Sequence, residues 1–234
     1  MHNTNWFKKC LFGAVLCPMA GASSAEQQTP IQKLVQQQFA SLFEDISVQL
    51  ATDKQRYLAD PMAYQVFIDL RLRPLWDISF TTRALLGRHN FSAISPLQQQ
   101  AIIDAVGETL VRYAFEGLEK YSGQQFRIVD VVINQRAAMG WVQVLMESTL
   151  IPDIVLDVLI KQADHEKDVW QAVDIRFKGI TYVAVKKHSF RETIEGQGIE
   201  TLITDLERKN REYYASICTK TQSSGRAPCI PVVK

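Results

Sequence analysis

A chain of 234 residues with 26 Lys and Arg, 25 Asp and Glu and a net charge of +1 has room for one globular domain, or two small ones packed closely together. That near-neutral balance argues against a nucleic-acid partner and against strong electrostatic adsorption to an anionic membrane. Beyond the N-terminal leader, no run approaches the ~18 uninterrupted apolar residues of a membrane-spanning helix.

Residues 1–25 read as a secretory signal peptide. Lys8 and Lys9 are its basic region, Cys10 to Ala20 an apolar run broken only by Pro18, and Gly21 to Ala25 the small residues before cleavage. The cut is expected before Glu26, with cleavage after Ala22 as the alternative. Neither Cys10 nor Cys17 follows a lipoprotein pattern, so no lipid anchor is expected. Loss of Lys8 and Lys9 brings the charge balance to about −1.

Residues 26–215 are expected to fold as one domain. Apolar residues at Ile31, Leu34, Val35, Phe39, Leu42, Phe43 and Ile46 predict a first helix over 26–52, with a break at Thr52-Asp53-Lys54. Asp60-Pro61 opens a second helix that turns Tyr64, Phe67, Ile68 and Leu72 inward and stops at Pro74. A third presents Leu75, Trp76, Ile78, Phe80, Leu85 and Leu86 and ends at Gly87. Ser95-Pro96-Leu97-Gln98 is a capping box that starts a long helix to about Tyr121. Gly107, Ala114 and Gly117 lie near its apolar stripe. Close helix packing explains such small residues, and so does room for a ligand.

After Ser122-Gly123 the period changes to two. Strands are predicted at 126–133, 141–150, 154–162 and 169–177, with a polar hairpin loop at 163–168. Ile154, Leu156, Val158 and Ile160 share one face of the third strand, and Val169, Gln171, Val173, Ile175 and Phe177 one face of the fourth. Single apolar faces fit a sheet covered on one side by helices. Two more helices follow, over 181–195 and 199–214, separated by Gly196-Gln197-Gly198. The order is helices, an antiparallel meander, then helices, which is α+β. Residues 216–234 form a tail holding Cys218 and Cys229. In an oxidising compartment these are expected to close a small disulfide loop, with two free thiols as the alternative.

No catalytic constellation stands out. His89, His165 and His188 lack partners at metal-ligand spacing, and neither Gly-x-Ser-x-Gly nor a phosphate loop occurs. Asn90-Phe91-Ser92 fits a short, common glycosylation pattern. Asp157 and Asp174 are placed to face each other across the last hairpin, as an acid–base pair or as solvated acids.

Taken together, several motifs resemble one family. They are Leu72-Arg73-Pro74-Leu75-Trp76-Asp77, Leu85-Leu86-Gly87 and Ser95-Pro96-x-Gln98; then Leu110, Tyr113-Ala114, Leu118 and Tyr121; then Trp170-Gln171-Ala172-Val173-Asp174, Gly179-Ile180-Thr181, Phe190, Ile194, Gly198, Leu202 and Leu206. In order and spacing the chain is similar to the MlaC, or toluene-tolerance, family over about residues 32–209. Arg88-His89-Asn90-Phe91 departs from its pattern, and the cysteine-bearing tail is not part of it.

The resemblance implies a four-stranded antiparallel sheet of the nuclear-transport-factor-like (NTF2-like) type, a helical subdomain and an apolar cavity between them. It implies a monomeric periplasmic phospholipid carrier with no cofactor and no catalytic activity. Such a carrier exchanges lipid with an outer-membrane lipoprotein–porin complex and an inner-membrane Mla ABC transporter complex, and so maintains outer-membrane asymmetry. The expected cavity wall comprises Trp76, Phe80, Leu86, Val106, Leu110, Ala114, Val144, Met146, Leu156, Val158, Val173, Ile175, Phe177 and Ile180. Ordinary core packing is an alternative for each, and a one-residue slip in a strand would exchange the set. A small isomerase of the ketosteroid type, or a carrier of another apolar cargo, is the alternative function.

Overall fold

A computed structural model describes residues 28–149 and 152–223. The leader and Cys229 lie outside the described residues. Helix α1 (Pro30–Ala59) starts at a capping box in which Thr29 and Gln32 satisfy each other's backbone N–H groups. The break expected at Thr52-Asp53-Lys54 does not occur. The Asp53 carboxylate accepts from Gln49 and Arg56, neighbours on adjacent turns, so the polar triplet is a hydrogen-bonded stretch of continuous helix.

Asp60 caps α2 (Pro61–Phe67) through the N–H groups of Met62 and Ala63. The helix does not continue regularly to Arg73. It widens into a π-helical turn at Ile68–Leu72 and then tightens into a 3₁₀ turn at Arg73–Leu75 around Pro74, which has no N–H to give. Trp76 is extended and bridges in parallel to Ala172, so the third helix begins later than expected, as α3 (Ile78–Leu86) capped by Asp77. Residues 88–93, expected as a loop around His89, are a short helix α4 (Arg88–Ala93). Helix α5 (Pro96–Lys120) carries the predicted Ser95/Gln98 capping box.

The four expected strands are present: β1 (Gln125–Asn134), β2 (Met139–Glu147), β3 (Ile154–Gln162) and β4 (Trp170–Phe177). A two-residue β5 (Ile180–Thr181) adds a fifth, and all pair antiparallel in sequence order. Gly140 has to be glycine, because a Cβ there would stand 2.5 Å from the Val132 carbonyl oxygen. Helices α6 (Tyr182–Gln197) and α7 (Ile199–Ser223) complete the chain. Helix α7 continues past residue 215, and Cys218 within it is buried and disulfide-bonded.

One irregularity decides which side chains face inward. The β3–β4 register shifts at Leu159/Ile160: Leu159 opposes Asp174, while Ile160 opposes Ala172. Val173 is the extra residue of a β-bulge. The bulge brings Ala172 onto the same side as Ile175, and alternation then adds Trp170. It shifts the alternation over residues 170–172 by one residue, which the simple alternation read from sequence could not show. The acids Asp157 and Asp174 do not pair, since Asp157 opposes Arg176 and Asp174 opposes Leu159. Asp157 accepts from Arg176 at 2.9 Å and Gln143 at 3.1 Å. Asp174 is buried at the start of α6 and accepts from the Val183 N–H at 3.2 Å.

Three clusters hold the layers. Val35 and Phe39 of α1 pack on Val131, Val142, Val144 and Trp170 of the sheet. The second half of α1 joins α2 and the end of α5 through Leu50, Tyr57, Tyr64, Val111 and Phe115. Leu85, Ile102, Val106, Phe190, Leu202 and Leu206 form a separate helical core. The helices are tied to the edge of β4 at the bulge. The fully buried Thr81 hydroxyl accepts from the Trp76 indole N–H at 2.8 Å and donates to the Val173 carbonyl at 2.6 Å. Replacing Thr81 by Val keeps the shape and strands both partners. We expect a loss of about 1–3 kcal/mol in urea-unfolding free energy; an unchanged midpoint would show that the tie contributes nothing.

Candidate functional site

Between the sheet and the helices lies a cavity of about 840 Å³. Each wall comes from a different element. Phe39, Leu42, Phe43 and Ile46 of α1 form one side, and the irregular segment gives Ile68, Leu72, Arg73, Leu75 and Trp76. Helix α5 gives Gly107, Leu110, Val111, Tyr113 and Ala114, and the sheet gives Val158, Ala172, Ile175 and Phe177. The mouth is formed by Lys178, Ile180, Thr181, Tyr182 and Val185, of which Ile180 and Val185 are well exposed at 60% and 59%.

The π and 3₁₀ turns explain how one short segment lines so much of the wall. A regular helix presents every third or fourth residue to one side. Widening and then tightening the turn at Ile68–Leu75 re-aims successive side chains into the hollow. Gly107 is pressed from one side, since a Cβ there would sit 3.3 Å from Ile78 Cδ1. It serves close packing and cavity room together. Gly117 has open space around it and is not among the residues lining this cavity.

Two of the polar groups on the wall are Arg73 and Tyr182. The Arg73 guanidinium pairs with Asp69 and Glu108, each at 2.8 Å. Burial works against its charge, but the two carboxylates outweigh that and hold its pKa above the ordinary value. Burial, reinforced by the neighbouring Tyr113, raises the Tyr182 hydroxyl above the usual tyrosine range, so it stays protonated at neutral pH. These groups offer donors and no base that titrates near neutrality. Among the described residues no cluster of His, Cys, Asp and Glu is arranged to hold a metal ion. His89 sits in α4, His165 in a turn and His188 on the surface of α6 beside Glu192.

Of the residues expected on the wall, Trp76, Leu110, Ala114, Val158, Ile175, Phe177 and Ile180 are brought together there. The others lie elsewhere. Leu86 and Val106 are in the helical core with Phe190 and Leu202. Val144 points inward but is covered by Val35 and Phe39 of α1. Val173, the extra residue of the bulge, is fully buried but is not among the lining residues. Phe80 stands beside the Lys161 ammonium, 6.0 Å from ring centre to Nζ. Met146 and Leu156 are half-buried toward the ends of their strands and are not among the lining residues. The α1 side was missed, although the adjacent apolar pair Leu42-Phe43 makes the stripe of α1 wider than contact with one sheet requires.

Comparison with known proteins bears on this arrangement. The family model described as MlaC protein matches residues 40–208. A solved structure, described as the phospholipid-binding protein from Ralstonia solanacearum in complex with a phospholipid, shares the fold. Its TM-score is 0.62 at 22% identity, over 74% of this chain and 98% of that one.

A hollow and a packed core respond oppositely to added bulk, and α5 carries an alanine in each. Ala105→Phe in the helical core should cost about 1–3 kcal/mol through overpacking, whereas Ala114→Phe, which points into the cavity, should cost less than about 1 kcal/mol. Equal losses in denaturant unfolding would mean that the cavity is filled by side chains.

Proposed function

The chain belongs to the MlaC family, and from that premise we propose that it is a periplasmic phospholipid carrier. It exchanges lipid between an outer-membrane lipoprotein–porin complex and an inner-membrane Mla ABC transporter complex, contributing to outer-membrane lipid asymmetry. The observation that carries the reading is the apolar cavity of about 840 Å³ with an exposed apolar mouth.

The energetics favour this use of the site. Exposing a lipid tail to water costs ~0.8 kcal/mol per methylene, so a chain of ~15 methylenes needs ~12 kcal/mol of apolar contact to leave a bilayer. A deep wall of Phe, Leu, Ile and Val supplies contact of that kind without catalytic groups. The volume lies toward the top of the usual range for ligand pockets, ~300–1,000 Å³. An isomerase would instead need a base within reach of its substrate, and the ionisable wall groups are an ion-paired arginine, a lysine and two tyrosines, with no carboxylate or histidine among the lining residues. The expected leader, residues 1–25, would deliver the chain to the periplasm. A Cys218–Cys229 disulfide suits that compartment.

Mass spectrometry of the organic extract from purified protein should give phospholipid near one equivalent per chain; an extract free of lipid, or rich in another apolar compound, would contradict the reading. Ile180→Glu places a carboxylate at the mouth, on a side chain already exposed. This variant should retain wild-type unfolding and copurify with little phospholipid, measured by the same extraction.

A further inference from the structure

The cavity wall carries two cations in very different states. Arg73 is neutralised by Asp69 and Glu108. Lys178 lies at the mouth, is exposed, and forms no ion pair among the described residues. Its position is nevertheless defined. Phe177 and Ile180 pair across the β4–β5 turn, and the two residues between them, Lys178 and Gly179, both have positive φ, at 49° and 82°. That is the geometry of a tight two-residue hairpin, in which Asn or Gly is the usual first residue. A lysine held in the left-handed region costs roughly 1 kcal/mol, and strain of that kind tends to persist where a side chain has a task. The Lys178 ammonium lies 5.2 Å from the centre of the Phe177 ring, which keeps it against the apolar rim.

Resting on the carrier reading, we propose that Lys178 is the headgroup ligand: its ammonium binds the phosphate of a phospholipid whose tails lie in the cavity. A lipid that enters tails first leaves its phosphate at the mouth. The apolar rim of Phe177, Ile180 and Val185 marks that boundary, and Lys178 is a positive charge on it with no ion pair among the described residues. The assignment makes Lys178 a specificity residue, separating phosphate-bearing lipids from neutral diacylglycerols with the same tails.

Lys178→Asn tests this, because asparagine suits the left-handed turn and removes only the ammonium. Delipidated protein is incubated with phosphatidylethanolamine vesicles or with dioleoylglycerol emulsions, and captured lipid is quantified by mass spectrometry. Lys178→Asn should lower phospholipid uptake about two- to fivefold, the range for a solvent-exposed charge pair, and leave dioleoylglycerol uptake unchanged. Lys178→Arg should restore the preference, and Lys187→Asn on the exposed face of α6 should not alter it. Excess inorganic phosphate at matched ionic strength should not displace lipid, since the tails hold the headgroup at high local concentration. Equal changes for both lipids, or none, would overturn the assignment. Displacement by free phosphate would identify a phosphate site instead. A wild-type protein that captures neither lipid would overturn the carrier reading itself.

Discussion

An apolar hollow of about 840 Å³ is costly to keep empty. At ~24 cal/mol per Å³ of residual cavity, a sealed void of that size would cost ~20 kcal/mol, more than the whole stability of ~5–15 kcal/mol that a domain has to spare. The hollow therefore has to open to solvent or be filled. The exposed mouth at Ile180 and Val185 meets the first condition, and an acyl chain would meet the second. Fold and site are in this sense one problem: the layers have to be fixed to each other without being packed face to face.

The chain solves it by fastening the layers around the cavity. On one side α1 lays Val35 and Phe39 directly on the sheet, closing that part of the inner face as ordinary core. On the other, Trp76 bridges the edge of β4, and Thr81 links the indole to the bulged Val173 carbonyl. The helical core of α3, α5, α6 and α7 is a separate cluster, which allows the wall of α5 around Leu110 and Ala114 to stand off from Ile175 and Phe177. The irregular turns at Ile68–Leu75 then direct an unusual number of apolar side chains into the space.

Much of the fold was legible because its signals are local. The Ser95/Gln98 box, Asp60-Pro61, Gly87 and the period-two runs announce α5, α2, the end of α3 and β1 to β4 in the sequence itself. What was not legible depends on long-range partners. Thr52-Asp53-Lys54 looks like a break until Lys54 donates to the Tyr121 carbonyl oxygen at the end of α5, 67 residues away. Trp76 leaves helical geometry because it docks on Ala172, nearly a hundred residues away in the chain. The wall was legible where strand alternation holds, at Val158, Ile175 and Phe177, and failed at the bulge, where Ala172 lines the cavity and Val173 does not. Val144 shows the other limit: its face was read correctly, but which helix covers it was not.

The central claim is that acyl chains occupy this hollow, and it can be observed directly. A crystal structure of the protein loaded with a phospholipid brominated midway along its chains should show anomalous bromine peaks between Leu110 and Ala114 of α5 and Ile175 of β4. Bromine found only on the outer surface, with the hollow filled by water or closed by repacked side chains, would contradict the account.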